Sequence, residues 1–349
     1  MLLEERWPRL AELPHIALAT LPTRVVRLDA LSRQVQANVW CKRDDESSAR
    51  YGGNKVRKLE FLLGAARAKG AKILITSGAS GSHHCLATTI FGTEHGFEVH
   101  LVLAPQPHTV HVEENLRCDL ALGAHVHPVR TFAGVAPKSA ELAARFKLGR
   151  RRPYVIVPGG SSPVGALGYV EAGLELASQI DRGLMPEPDA IYVALGTAGT
   201  LAGAAVGLAA AGVTARIVGV RVTDKIVANR VILRALVKRV VARLRKLDAR
   251  FPDVTRDALT RVRIDDEEFG AGYGRATPAS EHAVQLAAAD GLRVETTYTA
   301  KALAGLVRDA TGPSAGKKLL FWHTLSGADL APILRGAPAV PDNLARLMK

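Results

Sequence analysis

The chain is poor in cysteine and aromatic residues and contains no long hydrophobic run. Its 349 residues include three cysteines, Cys41, Cys85 and Cys118, which are too few and too scattered for a disulfide framework or a cysteine zinc site. No apolar stretch reaches the roughly 20 residues that a membrane helix needs. The first six residues contain acids and no apolar segment ending in small residues, so they do not resemble a secretory signal. We therefore expect a cytoplasmic protein with no membrane association.

The chain carries an excess of positive charge, and much of this excess lies in one segment. The formal net charge is +13, and residues 221–250 carry ten lysines and arginines against two aspartates. Apolar residues alternate with them at helical spacing, which predicts one or two amphipathic helices. A solvated helix face is the simplest interpretation, and an anionic substrate, a partner subunit or nucleic acid are the alternatives. Aromatic residues are only 5% of the chain and none lies in this stretch, which disfavours single-stranded nucleic acid.

Short apolar strands alternate with helical patterns along most of the chain. The predicted strands include 72–76, 99–103, 190–195 and 318–323, and the predicted helices include 55–69, 85–95, 279–290 and 299–310. Continuous apolar strands of this length are typical of parallel sheets buried on both faces. The length suits about two domains, each with a core of its own. The alternation predicts an α/β fold with parallel sheets.

Three strand-to-helix junctions, at 77–82, 159–162 and 196–200, are rich in glycine, serine and threonine. Ligands of parallel α/β sheets bind beyond the carboxyl ends of strands, so we expect these junctions to converge on one crevice. The third junction, Gly-Thr-Ala-Gly-Thr, offers backbone N–H groups, hydroxyls and a helix N-terminus, which suits a phosphate. It lacks the Gly-Lys-Ser/Thr ending of a nucleotide P-loop and therefore favours the phosphate of a small cofactor.

The sequence Ser82-His83-His84 lies where the helix after the first junction begins. A serine at this position is most simply a helix cap. A metal site is disfavoured here, because neighbouring residues at a helix start point apart and no cysteine or acid lies nearby at ligand spacing. The Gly-x-Ser-x-Gly elbow of serine hydrolases is absent, since Gly81 directly precedes Ser82. We therefore predict no bound metal.

One lysine follows a Gly-Gly-Asn turn at the start of a predicted helix, in the segment Tyr51-Gly52-Gly53-Asn54-Lys55-Val56-Arg57-Lys58-Leu59-Glu60. The glycines permit positive φ and the close approach of a ligand to the backbone. A lysine held in a tight pocket has its pKa lowered by burial, as a Schiff-base lysine requires. Most lysines are solvated surface residues, so this segment alone leaves both interpretations open.

Taken as a set, these motifs resemble those of the 1-aminocyclopropane-1-carboxylate deaminase/D-cysteine desulfhydrase family of pyridoxal-phosphate enzymes. The family's order is followed by the segment 51–60, the loop at Ser82, the segment 159–168, the loop 196–200, Tyr298 and His323-Thr324. The resemblance covers about residues 15–330. It implies the tryptophan-synthase-β-like fold, called fold type II, with two three-layer α/β domains built on parallel sheets. The larger domain would comprise residues 1–49 and 161–349, and the smaller inserted domain residues 50–160.

The resemblance also implies the residues of the active site. Lys55 would hold pyridoxal 5′-phosphate covalently, and Ser82 would meet the substrate carboxylate or act as nucleophile. Tyr273 and Tyr298 would be the two active-site tyrosines. The other expected cofactor contacts are Asn54, His83, Gly196, Thr197, Ala198, Gly199, Thr200 and Thr324. At His83 the family usually has an asparagine that bonds the cofactor's 3′-oxygen. A homodimer acting on a small amino acid is expected.

Two threonines distinguish the branches of the family. The deaminases carry glutamate after the tyrosine that matches Tyr298 and leucine after the histidine that matches His323, whereas this chain has Thr299 and Thr324. A carboxylate beside the pyridine nitrogen keeps it protonated and makes the ring a stronger electron sink. Opening a cyclopropane needs that sink more than expelling a thiolate does. We therefore predict α,β-elimination, with D-cysteine as substrate and pyruvate, ammonia and hydrogen sulfide as products.

Three alternatives remain open. The first is 1-aminocyclopropane-1-carboxylate deamination, which Thr299 and Thr324 disfavour. The second is a sulfo-lyase acting on cysteate, which the basic surplus would suit. The third, from a different class, is a catalytically silent protein that associates with nucleic acid through residues 223–252, and the scarcity of aromatic residues there, with Phe251 alone, disfavours it.

Overall fold

A computed structural model describes residues 1–348, which form two compact units. The first unit contains residues 1–13, 19–58 and 161–327, and the second contains residues 14–18, 59–160 and 328–348. The sequence analysis assigned residues 328–348 to the larger domain, whereas in the structure they cluster with the second unit. There the Ser80 hydroxyl donates to the Leu347 carbonyl at 2.7 Å and the Gln106 N–H donates to the same carbonyl at 3.2 Å.

The first unit is built on a six-stranded sheet. With strands numbered in chain order, it contains β1 (Val25–Arg27), β2 (Asn38–Arg43), β7 (Ala190–Leu195), β8 (Arg216–Arg221), β9 (Val262–Asp265) and β10 (Lys318–His323). Their spatial order is β1-β2-β10-β7-β8-β9. Only the β1–β2 pair is antiparallel. Four parallel pairs are what the short continuous apolar runs indicated, because such runs occur in strands buried on both faces.

Helices of the first unit cover both faces of this sheet. They are α1 (Leu2–Arg6), α2 (Asp29–Val35), α7 (Leu167–Asp181), α8 (Gly199–Ala210), α9 (Arg230–Leu247), α10 (Thr255–Thr260), α11 (Pro278–Ala288) and α12 (Thr299–Ala310). Phe321 of β10 packs in one core cluster with residues of α2, α11 and α12. The next residue, Trp322, faces Tyr169 of α7 at 5.5 Å between ring centroids. The predicted α/β class with parallel sheets is confirmed.

The second unit contains a smaller, fully parallel sheet. Its strands are β3 (Ile73–Ala79), β4 (Glu98–Ala104), β5 (His125–Pro128) and β6 (Pro153–Val155), in the order β5-β4-β3-β6. Its helices are α4 (His83–Glu94), α5 (Val110–Ala121), α6 (Val135–Leu148) and α13 (Ala331–Leu334), and α3 (Asn54–Ala68) begins in the first unit and continues into the second. Among the described residues, no helix is both long enough and apolar enough to span a bilayer.

Helices α7 and α8 pack closely, and this contact fixes the position of α8 and of the loop before it. A Cβ atom at Gly207 would lie 2.2 Å from the Val170 carbonyl oxygen, and one at Gly203 would lie 2.2 Å from the Ala166 carbonyl oxygen. These distances are far below contact distance, so only glycine permits this approach of the two backbones. The loop that joins β7 to α8 is thereby held against the end of the sheet.

A buried ion cluster anchors the first turn of α3. Arg57 Nη2 donates to Asp44 Oδ1 at 2.7 Å and to Glu175 Oε1 at 2.9 Å, and Lys42 also donates to Glu175. Burial by itself would raise the pKa of the Asp44 carboxyl, but Arg57 and Lys42 hold it below its ordinary value. Trp322 Nε1 donates to Asp44 as well, at 2.9 Å. Because its charges are paired, the cluster fixes the helix turn that carries Lys55.

The basic run that raised the question of nucleic acid forms the single helix α9 for most of its length. Six apolar residues of α9 are buried: Leu233, Leu236, Val237, Val240, Val241 and Leu244. Lys238 and Arg239 between them are exposed. This segment therefore has the amphipathic structure that its spacing predicted, with a solvated basic face.

Candidate functional site

The loop between β7 and α8 forms a turn lined with hydroxyl and N–H groups. Ala198 caps α8 in the left-handed conformation, with φ of 65°, which is uncommon outside glycine. The Ser161 hydroxyl accepts the Gly199 N–H at 3.0 Å and lies 2.7 Å from the Thr197 hydroxyl. The first turn of a helix has N–H groups without intrahelical partners, so this turn presents donors at a positive dipole end.

Lys58 brings a buried ammonium group to the same turn. A Cβ atom at Gly199 would lie 3.0 Å from Lys58 Nζ and 2.5 Å from the Ser161 hydroxyl oxygen. Burial, together with the charge of Lys55, lowers the pKa of Lys58 well below its ordinary value. An anion in the turn would restore the charged form, because it compensates for the water that the ammonium has lost. The donors and this cation together fit a phosphate group.

Lys55 is connected to this turn through Asn54. Lys55 Nζ donates to Asn54 Oδ1 at 2.9 Å, and Asn54 Nδ2 donates to the Thr200 hydroxyl at 3.0 Å. Burial lowers the pKa of Lys55 to about 8, and the carboxylate of Glu295 acts in the opposite direction. A neutral amine is therefore available much nearer to neutral pH than in an ordinary lysine. Such an amine attacks the carbonyl group of a cofactor or substrate.

The turn before Lys55 is held against the end of β10. Gly53 has φ of 85°, and a Cβ atom there would lie 2.7 Å from the Thr324 carbonyl oxygen. The Asn54 N–H donates to that same carbonyl at 3.1 Å. A Cβ atom at Gly52 would lie 2.1 Å from the Asp45 carbonyl oxygen. Both glycines are thus required by the close approach of two chain segments, which the Gly-Gly-Asn pattern had indicated.

The N-terminus of α12 holds a carboxylate that the sequence analysis did not single out. Glu295 accepts hydrogen bonds from the N–H groups of Thr297, Tyr298 and Thr299, at 2.7, 2.9 and 3.1 Å. In return, the Thr299 hydroxyl accepts the Glu295 N–H at 3.1 Å. No sequence motif pointed to Glu295, which is identified only by these contacts in the folded chain. Its carboxylate favours the charged form of Lys55.

Two tyrosines predicted for the active site lie together in the first unit. The hydroxyl groups of Tyr273 and Tyr298 are hydrogen-bonded to each other, and their rings meet edge to face at 5.9 Å between centroids. Tyr298 Cε1 would lie 3.6 Å from a Cβ atom at Gly196. One tyrosine of the pair therefore borders the β7–α8 loop.

The remaining predicted residues belong to the second unit. Ser82 caps α4, its hydroxyl oxygen accepting the Cys85 N–H at 3.3 Å. The His83 ring stacks on the ring of His111, with 5.7 Å between centroids and 10° between planes. The structural role of Ser82 as a cap is thus observed, and the roles of Ser82 and His83 toward substrate and cofactor stay predictions.

The first unit thus brings together Lys55, Asn54, Thr197, Gly199 and Thr200. It adds three residues that sequence reasoning missed as site residues: Lys58, Ser161 and Glu295. Lys58 carried a signal, because it lies one helical turn after Lys55 and on the same side. The only sequence signal for Ser161 was its position in a junction rich in glycine and serine.

Comparisons with known proteins agree with this arrangement. A family model described as "Pyridoxal-phosphate dependent enzyme" matches residues 16–324. A putative 1-aminocyclopropane-1-carboxylate deaminase of Pyrococcus horikoshii is 34% identical and covers 90% of this chain and 92% of its own. A nocardicin C-9′ epimerase of Nocardia uniformis subsp. tsuyamanensis is 36% identical, covering 93% and 97%. A D-cysteine desulfhydrase of Klebsiella pneumoniae is 35% identical, covering 90% and 94%.

A solved structure gives the same result in three dimensions. The crystal structure of an ACC deaminase homologue superposes with a TM-score of 0.79 at 33% identity, covering 91% of this chain and 93% of that one. The fold therefore agrees with that of a solved homologue over most of the chain. The chain belongs to the pyridoxal-phosphate-dependent enzymes, in the family of 1-aminocyclopropane-1-carboxylate deaminase and D-cysteine desulfhydrase, and its cofactor is pyridoxal 5′-phosphate.

Proposed function

We propose that the protein catalyses α,β-elimination from a small β-substituted amino acid. D-cysteine is the first candidate substrate, with pyruvate, ammonia and hydrogen sulfide as products. The observation that carries the proposal is the neutral Thr299 at the start of α12, whose hydroxyl accepts the Glu295 N–H. The three N–H groups that Glu295 accepts come from the first residue of α12 and the two residues before it, so this carboxylate holds the start of the helix. With a neutral hydroxyl instead of a carboxylate after Tyr298, the bound cofactor would be a weaker electron sink. Such a sink is sufficient when the substrate carries a good leaving group.

Lys55 is the residue to which we assign the proton transfer. When bound, the cofactor supplies an electron sink for negative charge at the substrate α-carbon. Lys55 Nζ, with a pKa of about 8, accepts or returns the α-proton near neutral pH. Ser82 is the second candidate for that step, or it binds the substrate carboxylate. Asn54 orients Nζ through the hydrogen bond at 2.9 Å.

The phosphate would be bound by the β7–α8 loop. We assign its binding to Lys58 Nζ, to the hydroxyls of Ser161 and Thr197, and to the N–H groups of the first turn of α8. The paired hydroxyls of Tyr273 and Tyr298 would face the substrate beside this loop. Thr324 anchors the lysine turn through its carbonyl group.

The proposal is tested with purified holoprotein and a set of amino acids. D-cysteine, L-cysteine and β-chloro-D-alanine are supplied in turn, and pyruvate and sulfide are measured. We expect pyruvate from D-cysteine and none from Lys55→Ala. A protein that shows normal cofactor absorbance but releases no pyruvate from any β-substituted amino acid would contradict the proposal. Exchange of the α-hydrogen with solvent deuterium, without pyruvate, would indicate epimerisation, the reaction named for the Nocardia relative.

The nearest rival is deamination of 1-aminocyclopropane-1-carboxylate. We expect the double variant Thr299→Glu/Thr324→Leu to gain 2-oxobutyrate formation from that substrate and to lose part of its activity on D-cysteine. Thr311→Glu is the matched control, because it adds the same charge at the exposed opposite end of α12. Equal activities in the double variant and the wild type would mean that these two positions do not select the reaction.

Cysteate and nucleic acid are tested with the same preparation. Sulfite release from cysteate would favour the sulfo-lyase alternative. A salt-dependent shift in the anisotropy of labelled DNA, lost on replacing basic residues of α9, would favour nucleic-acid association. We expect no such shift, because α9 carries no aromatic residue on which bases could stack. We also propose a homodimer, which light scattering of the eluted protein would establish.

A further inference from the structure

Four polar side chains gather on one face of the smaller sheet. Glu98 and His100 lie two residues apart on β4, and His125 and His127 lie two residues apart on the edge strand β5. Residues two apart in a strand point to the same side of the sheet. The two strands are parallel, and His100 is paired in register with His125. The strands thus place three imidazoles and a carboxylate side by side.

Three of these side chains turn their ligand atoms toward one point. Glu98 Oε1 lies 2.7 Å from His100 Nε2 and 3.8 Å from His125 Nε2, and all three atoms lie within 4.8 Å of one another. A zinc-like ion lies at about 2.0–2.2 Å from imidazole nitrogen and carboxylate oxygen, which puts tetrahedral ligands about 3.3 Å apart. The two distances from Glu98 Oε1 lie on either side of that value, so the side chains would adjust their positions when an ion binds.

His127 supplies the support that a ligating histidine needs. His100 Nδ1 lies 2.9 Å from His127 Nε2. A histidine that ligates through Nε2 carries its proton on Nδ1 and donates it to a fixed acceptor, which is the place His127 occupies. The His100 ring is buried and packs edge-on against Phe146 at 4.7 Å between centroids. His100 is therefore held in one orientation before any ion arrives.

An ion can reach the cluster from solvent, because His125 and the neighbouring Arg151 are partly exposed. The side chain of His125 is 56% exposed, so an ion reaches the three ligand atoms from solvent. Arg151 is hydrogen-bonded to Glu98 Oε2, and its other terminal nitrogen lies 3.4 Å from Oε1. Its side chain is 46% exposed and can swing into water when a cation takes its place beside the carboxylate.

We propose that Glu98, His100 and His125 form a binding site for a divalent transition-metal ion, with His127 as a positioning residue. Two imidazoles and one carboxylate are ligands that Zn²⁺, Ni²⁺, Cu²⁺ and Fe²⁺ accept, and they leave at least one position for water. The ion would join the edge strand β5 to β4. The sequence did not predict this site, because its ligands lie on two separate strands and share no local spacing.

The test uses tag-free holoprotein that has been dialysed against a chelator. Titration with Zn²⁺ in a calorimeter should give one ion per chain, and Co²⁺ should give visible absorption bands of a nitrogen-containing site. His125→Ala should lower the affinity at least tenfold. His108→Ala is the control, since His108 and Glu113 form another exposed histidine–glutamate contact, at 3.2 Å, for which the described part of the chain offers no third ligand. Absence of saturable binding, or equal affinity in His125→Ala, would overturn the proposal.

Two further variants separate metal binding from a merely structural role. His127→Ala should lower the affinity for Zn²⁺ about 10–100-fold, and His127→Gln, whose amide oxygen accepts the Nδ1 proton, should restore most of it. Arg151→Gln should raise the affinity, because it frees the carboxylate of Glu98. A fall in affinity in Arg151→Gln, or no difference between the two His127 variants, would contradict these assignments.

Discussion

Replacement of Lys55 by methionine should stabilise the cofactor-free protein at neutral pH, although it removes the amine to which we assign cofactor attachment. Methionine has a similar length and no charge. Burial lowers the pKa of Lys55 from 10.5 to about 8. That difference corresponds to about 3 kcal/mol of folding free energy below pH 8. Lys55 keeps some contact with solvent, so we expect a gain of about 2–3 kcal/mol.

The sign of the effect follows from the bound protons. Between pH 8 and pH 10.5 the unfolded chain binds more protons at Lys55 than the folded protein does, so the stability of the wild type rises with pH in that range. The Lys55→Met variant lacks this contribution. Its advantage over the wild type is therefore greatest below pH 8 and disappears near pH 10.5.

Urea unfolding of the two cofactor-free proteins at pH 7, 8.5 and 10 provides the measurement. Lys238→Met, at an exposed lysine of α9 in the same unit, is the control and should change the free energy of unfolding by less than about 0.5 kcal/mol. If Lys55→Met is less stable than the wild type at pH 7, burial of the ammonium is not the cause of its lowered pKa. The same conclusion follows if the advantage is equal at pH 7 and pH 10.

Three further substitutions test the surroundings of this lysine. Lys58→Met should weaken binding of pyridoxal 5′-phosphate at least about tenfold and leave binding of pyridoxal almost unchanged, measured by equilibrium dialysis; an equal loss for both would remove Lys58 from the phosphate site. Arg57→Met should cost about 3–5 kcal/mol in chemical unfolding, because two buried carboxylates lose their cation. Gly207→Ala should cost about 1–3 kcal/mol, since its Cβ would meet the Val170 carbonyl, whereas Gly149→Ala, with 3.5 Å to its nearest neighbour, should be almost neutral.

The helices and strands predicted most accurately are those whose burial in the fold produces a clear apolar pattern in the sequence. Strands 190–195 and 318–323 are found at the predicted bounds, because a central parallel strand is buried on both faces and leaves an unbroken apolar run. The helix 299–310 was likewise predicted at the bounds of α12. The family, the fold type and the cofactor inferred from the motifs are confirmed.

Elements that bury little were missed. Only Val135 and Leu142 are buried in α6, so its sequence gives no helical stripe of apolar residues. The strand β9 has four residues, and two of them are charged, which hides it among the surrounding polar segments. Each element buries only two residues, which is too few for a periodic apolar pattern in the sequence.

The site residues that were missed depend on contacts between distant segments. The pair Ser161–Gly199 is separated by 38 residues and the ion pair Arg57–Glu175 by 118. No local periodicity records such contacts. Lys58 shared a motif with Lys55, but its place beside the β7–α8 loop became visible only when both elements were folded.

The position of β10 also determines when the active site can form during synthesis. This strand comes from residues 318–323, yet it lies between β2 and β7 in the larger sheet. The smaller sheet uses only residues 73–155, which leave the ribosome long before β10 does. The turn that carries Lys55 rests on the Thr324 carbonyl, so it acquires this support only after β10 has been synthesised and has entered the sheet. A chain that stalls before β10 therefore lacks the contact that holds the lysine turn, and bound cofactor marks a chain whose translation has passed this strand.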